Sequence, residues 1–245
     1  MIRIANYKLS ATKILLIVIC VLYITFLLID LSIIKAFALS SLLKYISIIL
    51  CFLISSLIGN KYIDRTDKLL LQLGLFFTLI SDFFLLFTDY FTIGVGVFSI
   101  VHIIYTIRYE KNRIKPVLIK FTVIFLIIII TYLMLSFFFI EIELLFAIAF
   151  FYAISILNSV IKAIKACKYE LFPNPNKYLI AFGMALFLLC DINVGIFNIT
   201  RMAYSSNGII NLLYSISGVL MWFFYLPSQV LLSLSGFDFK HLHKN

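Results

Sequence analysis

Residues 69–87 read LLLQLGLFFTLISDFFLLF. Coiled as a helix at about 1.5 Å per residue, this block matches the thickness of a bilayer's hydrocarbon core, about 30 Å. Its apolar residues fall on every side instead of alternating, the pattern of a lipid-embedded helix and not of a barrel strand. The only ionisable residue in it is Asp82, and an intramembrane carboxylate is costly enough to need a purpose.

Blocks of about 17 to 24 residues with this character recur at 14–34, 42–59, 69–87, 91–107, 117–139, 144–161, 178–198 and 211–234. The chain is 64% hydrophobic and 13% charged, with a mean hydropathy of +1.14, whereas a soluble domain is about half apolar and a quarter charged. The connections are too short to hold a soluble domain, and Pro116, Pro173 and Pro175 in the longest of them suit turns. The expected fold is all-α: a polytopic membrane protein, one bundle of eight transmembrane helices over 1–245.

Charge orients the bundle. With the N-terminus in the cytoplasm, the inner segments hold Arg3, Lys8 and Lys13; Lys61, Arg65 and Lys68; Arg108, Lys111, Arg113, Lys115 and Lys120; Lys162, Lys165, Lys168 and Lys177; and Lys240 and Lys244. Only Lys35, Lys44 and Arg201 are left outside. Seven or nine spans would break this alternation, so the positive-inside rule predicts eight, with both termini cytoplasmic, as in a bacterial inner membrane. The net charge of +9 is read as this orientation signal, with lipid contact at 108–120 as an alternative, and no nucleic-acid motif accompanies it. Ala36-Phe37-Ala38 resembles a signal-peptide cleavage site, but the preceding apolar stretch is long for one, so the first block is expected to stay as a helix.

Other polar motifs are read as structural. Cys20, Cys51, Cys167 and Cys190 have no metal or redox spacing and are expected as small apolar fillers. His241-x-His243 reads as a solvated tail and Glu141-x-Glu143 as part of an outer loop. No metal or other cofactor is expected.

Another apolar block carries an aspartate at a matching place. LGLFFTLISDFFLLFTD (73–89) aligns with FGMALFLLCDINVGIFN (182–198) at glycine, at Asp82 and Asp191, and at a final Asp or Asn. The two blocks run in the same direction four helices apart, which suggests a 4+4 parallel internal repeat. Asp82 lies about 7–8 Å from the outer end of its helix, and Asp191 lies at a similar depth. Two carboxyls brought together away from water resist ionising together, an arrangement suited to acid–base work. The alternative is that each is packing glue between helices.

Further polar residues surround this depth. Gly94, Phe98, His102 and Tyr105 fall within about 80° on a helical wheel, so they share one face. The glycine lets a helix or ligand approach closely. In the last block, Trp222, Tyr225 and Gln229 fall within about 60°, and Pro227 frees a carbonyl that needs a partner. Trp222 also suits an interfacial aromatic belt. Lys44 is placed either to snorkel or to hold a lipid phosphate.

The run from Asp82 through Phe91, Gly94, Phe98, His102 and Tyr105 resembles the signature of the YhhN family of membrane proteins, an aspartate followed by F-x-x-G-x-x-x-F-x-x-x-H-x-x-Y. The second half is similar too, with Asp191 following Cys190 where the family usually has serine, and with Tyr225-x-x-x-Gln229. Lys44 matches a family lysine, followed here by Tyr45 and usually by proline. The resemblance covers roughly residues 40 to 235 and includes the lysoplasmalogenases. It implies hydrolysis of the vinyl ether of a lysophospholipid, with Asp82 and Asp191 as acid and base and Lys44, His102, Tyr105, Tyr225 and Gln229 binding substrate. A proton- or cation-coupled transporter using the same aspartates, or a non-catalytic lipid-binding protein, are the competing classes.

Overall fold

A computed structural model of the chain describes residues 2–31, 37–57, 65–110, 113–138, 142–203, 208–237 and 239, with the side chains of 2–8 and 37 excepted. Among the described residues there are eight helices and no strands: α1 (Ile2–Asp30), α2 (Phe37–Ser56), α3 (Arg65–Phe87), α4 (Phe91–Tyr109), α5 (Ile114–Phe138), α6 (Leu144–Lys168), α7 (Asn176–Met202) and α8 (Gly208–Leu234). All eight are long and apolar enough to cross a membrane. The expected blocks agree with these helices, whose ends extend beyond most of the apolar runs. The first ends at Asp30 instead of 34. The sixth and seventh continue to Lys168 and Met202, because a helix carries its polar ends through the headgroup layer. Lys35, Lys61, Lys111, Glu141, Lys240, His241, His243, Lys244 and Ala36 of the candidate cleavage motif lie outside the described residues, as do the side chains of Arg3 and Lys8.

The helices pack as two tight hairpins, α3 with α4 and α7 with α8, joined where α4 meets α6 and where α2 meets α8. Matching small residues make the hairpins tight. A Cβ on Gly74 would lie 2.5 Å from the Tyr105 ring, and one on Gly183 would lie 3.0 Å from Leu232, so each glycine aligned in the sequence receives a side chain of the following helix. By contrast, α5 buries only Val117 and Phe121 among its described residues and turns Ile119, Ile127 and Leu133 outward, as a helix facing lipid should. Through Pro227, α8 continues without interruption.

At the Arg108 end of the bundle the structure corrects a sequence reading. Arg108, counted as a loop cation, is 1% exposed. Its guanidinium donates to both carboxylate oxygens of Asp67, from Nε at 2.9 Å and Nη2 at 3.2 Å, and from Nη1 to Ser235 Oγ at 2.9 Å. The forked geometry is the strong form of this pair. Asn176 donates to the carbonyls of Ser235 and Phe237, each at 2.7 Å, which ties the start of α7 to the same point. Lys162 and Glu110 pair nearby and link α6 to α4. Breaking one partner of a buried pair strands a charge and costs about 3–5 kcal/mol. Arg108→Met should therefore lower the thermal midpoint sharply, and the double variant Arg108→Met, Asp67→Leu should recover most of the loss. Thermal unfolding of purified protein followed by tryptophan fluorescence checks both.

Candidate functional site

Asp82 on α3 and Asp191 on α7 line one cavity of about 260 Å³ near the Arg201 end of the bundle. A tyrosine holds each carboxyl. Tyr225 Oη on α8 donates to Asp82 Oδ2 at 2.7 Å, and Tyr152 Oη on α6 donates to Asp191 Oδ2 at 2.6 Å. Among the described residues no side chain bonds the Oδ1 of either aspartate. Such a carboxyl oxygen can give or take a proton at a ligand while the other stays anchored.

The cavity wall follows from the α3–α4 hairpin. Ser81 Oγ donates to the Gly94 carbonyl at 2.6 Å. A Cβ at Gly94 would meet Leu85 at 2.7 Å and the Ser81 carbonyl oxygen at 3.3 Å. Gly94 thus admits a neighbouring helix, one of the two possibilities its sequence position allowed. That close approach sets Asp82 beside Phe98, which lines the cavity with Val95, Leu85 and Leu86. The rings of Phe98, Phe187 and Tyr225 meet with centroids 5.5–6.3 Å apart and form an aromatic floor. At the mouth, Asn198 and Arg201 join the lining from α7, and Arg201 is exposed.

The residues expected from sequence divide into three groups. Asp82, Asp191 and Tyr225 line the cavity together, as does Trp222. His102, Tyr105 and Gln229, each 0% exposed, are not part of its lining and lie one or two turns further along their helices. His102 Nδ1 meets Ser159 Oγ at 3.0 Å, and its ring packs at a tilt against those of Phe187 and Tyr152. Lys44 also lies off the lining. Its ammonium pairs with Asp30 at 2.8 Å and sits 5.0 Å from the Trp222 ring centroid, bracing that wall from behind. Ser40 donates to Asp30 as well, at 2.7 Å.

Sequence reasoning missed Tyr152, Asp30, Asn198 and Arg201. Tyr152 carried a signal: with Ser155 and Ser159 it forms a polar stripe at helical spacing on α6. Asp30, the last residue of α1, is a third acid within the apolar blocks, and it lies beside a lysine. Arg201 stood among the few cations assigned to the outer side.

The model of the YhhN family matches residues 13–236, and so covers α2 to α8 and most of α1. No curated protein matches the chain. No solved structure matches it either.

Two glycines two residues apart test the hairpin. Gly94→Ala forces α3 and α4 apart beside Asp82 and should cost about 1–3 kcal/mol, as overpacking does. A Cβ at Gly96 meets nothing nearer than Ile148 at 3.8 Å, so Gly96→Ala should leave the thermal midpoint unchanged or raise it. Paired melting curves of the two variants make the comparison.

Proposed function

The chain belongs to the YhhN family, and from that premise we propose that it is an intramembrane hydrolase cleaving the vinyl ether of lysoplasmalogens. The products are a fatty aldehyde and a glycerophospho-ethanolamine or -choline. The observation that carries the reading is the pair Asp82 and Asp191 on one cavity, each anchored through Oδ2 by a phenol. One aspartate, protonated, delivers its proton to the β-carbon of the vinyl ether, leaving an oxocarbenium ion at the ether carbon. The other, ionised, stabilises that cation and takes a proton from the water that captures it, in the manner of two-carboxylate glycosidases. The hemiacetal then collapses: its hydroxyl loses a proton, the carbon–oxygen bond to glycerol breaks, and the glycerol oxygen is protonated.

Arg201 is the residue proposed for the phosphate. It lies ten residues beyond Asp191 on α7, about 15 Å along the axis. A lysophospholipid places phosphorus roughly 8 Å from the vinyl ether carbon along an extended chain, and the arginine side chain spans most of the remainder. Lys44, already matched by Asp30, is left to support Trp222. We place the protein in a bacterial cytoplasmic membrane, with both termini inside and the cavity mouth outward, so that substrate arrives from the outer leaflet.

Aldehyde release from a lysoplasmalogen by purified protein is the test. Asp82→Asn and Asp191→Asn should each lower kcat by about 10²–10⁴. Arg201→Ala should raise KM about tenfold for the phospholipid, with kcat little changed. An inactive wild type that instead carries protons or cations across proteoliposomes through the two aspartates would overturn the hydrolase reading.

A further inference from the structure

Beneath the aromatic floor lies a second polar region that the cavity does not include. The structure fixes the relative register of α4 and α8 at two points. Phe98 meets Tyr225 with ring centroids 6.3 Å apart, and Arg108 bonds Ser235 at 2.9 Å. Ten residues separate the members on either helix, so the two helices run parallel and keep step between these contacts. His102 therefore lies level with Gln229, and Tyr105 with Leu232, at about one and two turns below the floor.

These levels hold polar atoms with no hydrogen-bond partner among the described residues: His102 Nε2, Tyr105 Oη, Ser228 Oγ and both amide atoms of Gln229. All four side chains are fully buried. In a membrane interior such atoms find partners or the fold does not tolerate them. The His102 tautomer is coupled to its neighbour. Ser159 Oγ lies 2.8 Å from the Ile156 carbonyl and 3.0 Å from His102 Nδ1; with its single hydroxyl proton given to that carbonyl, it acts as acceptor towards His102 and the imidazole proton sits on Nδ1. Nε2 then presents a lone pair, which only a donor satisfies. Gln229 contributes two donors and an acceptor, and Tyr105 and Ser228 one hydroxyl each.

We propose that His102, Tyr105, Ser228 and Gln229 hold a small cluster of bound water beneath the aromatic floor. We propose further that this cluster supplies the water consumed in hydrolysis, a step that rests on the hydrolase reading. On the hydrolase reading, a single-chain lipid bound with its headgroup at the mouth would block water arriving from the Arg201 end. Water held below the floor is one turn from the Tyr225 phenol that anchors Asp82. On this proposal it enters the cavity past Tyr225, away from the mouth.

Radiolytic hydroxyl labelling of the full-length protein in nanodiscs tests the cluster without reference to activity, because radicals form on bound water. His102 and Tyr105 should take label at a level near that of the exposed Tyr169, while the buried Phe26 and Phe121 stay unlabelled. Gln229→Met should lower label on His102 and Tyr105 severalfold and leave Tyr169 unchanged. Label on His102 and Tyr105 no higher than on Phe26 would overturn the cluster. The supply role is read with methanol as a competing nucleophile, which converts the oxocarbenium ion to a mixed methyl acetal. The wild type should give mostly aldehyde, and Gln229→Met should raise the acetal share severalfold. Labelling as expected with an unchanged product ratio would overturn the supply role and keep the cluster. No aldehyde from the wild type would overturn the supply role together with the hydrolase reading, and the labelling result would stand.

Discussion

The buried ion pair of Arg108 with Asp67 holds the register on which the rest of the bundle depends. A guanidinium inside a membrane protein must spend its donors on protein, and this one does so on α3 and on the end of α8. That choice aligns α4 with α8 over ten residues and brings Phe98 to Tyr225 at the other end. Tyr225 in turn reaches Asp82. The position of a carboxyl in the cavity is thus set partly by a charge pair near the opposite membrane face, through two helices that cannot slip without breaking it.

The fold was readable because membrane solvation leaves few alternatives. A backbone in hydrocarbon must bond itself, so eight apolar blocks of sufficient length become eight helices. The aspartates were readable for the same reason, since a carboxyl in residues 69–87 has no cheap explanation. Neighbour relations were not readable. A helical wheel gives the direction of His102 or Gln229 around its own axis, but not how far along the bundle the cavity extends, and both residues lie below its floor. Lys44 was visible as a cation near the outer end, yet its partner Asp30 sits on another helix and faces it only after α1 and α2 pack. Tyr152 lay within an apolar run, where a single hydroxyl barely changes the hydropathy, although it anchors Asp191. Arg108 looked like a loop charge because its helix runs two residues past the apolar block and its acidic partner lies forty-one residues earlier.

The two tyrosines show how the site is assembled. The aspartates occupy matching places in α3 and α7, and Gly74 and Gly183 below them each receive a side chain from the following helix. The phenols do not follow that correspondence. Asp82 is anchored from α8, a member of the other hairpin, whereas Asp191 is anchored from α6, its own neighbour in sequence. The two carboxyls therefore differ in what holds them even though their helices are alike. Asp82 depends on contact between the hairpins and on the register set at Arg108, while Asp191 depends on the local packing of α6 on α7. A pair of identical side chains with unlike anchors is suited to divided labour, because one can be displaced or reprotonated without disturbing the other. On the proposed chemistry the two roles are those of proton donor to carbon and proton acceptor from water.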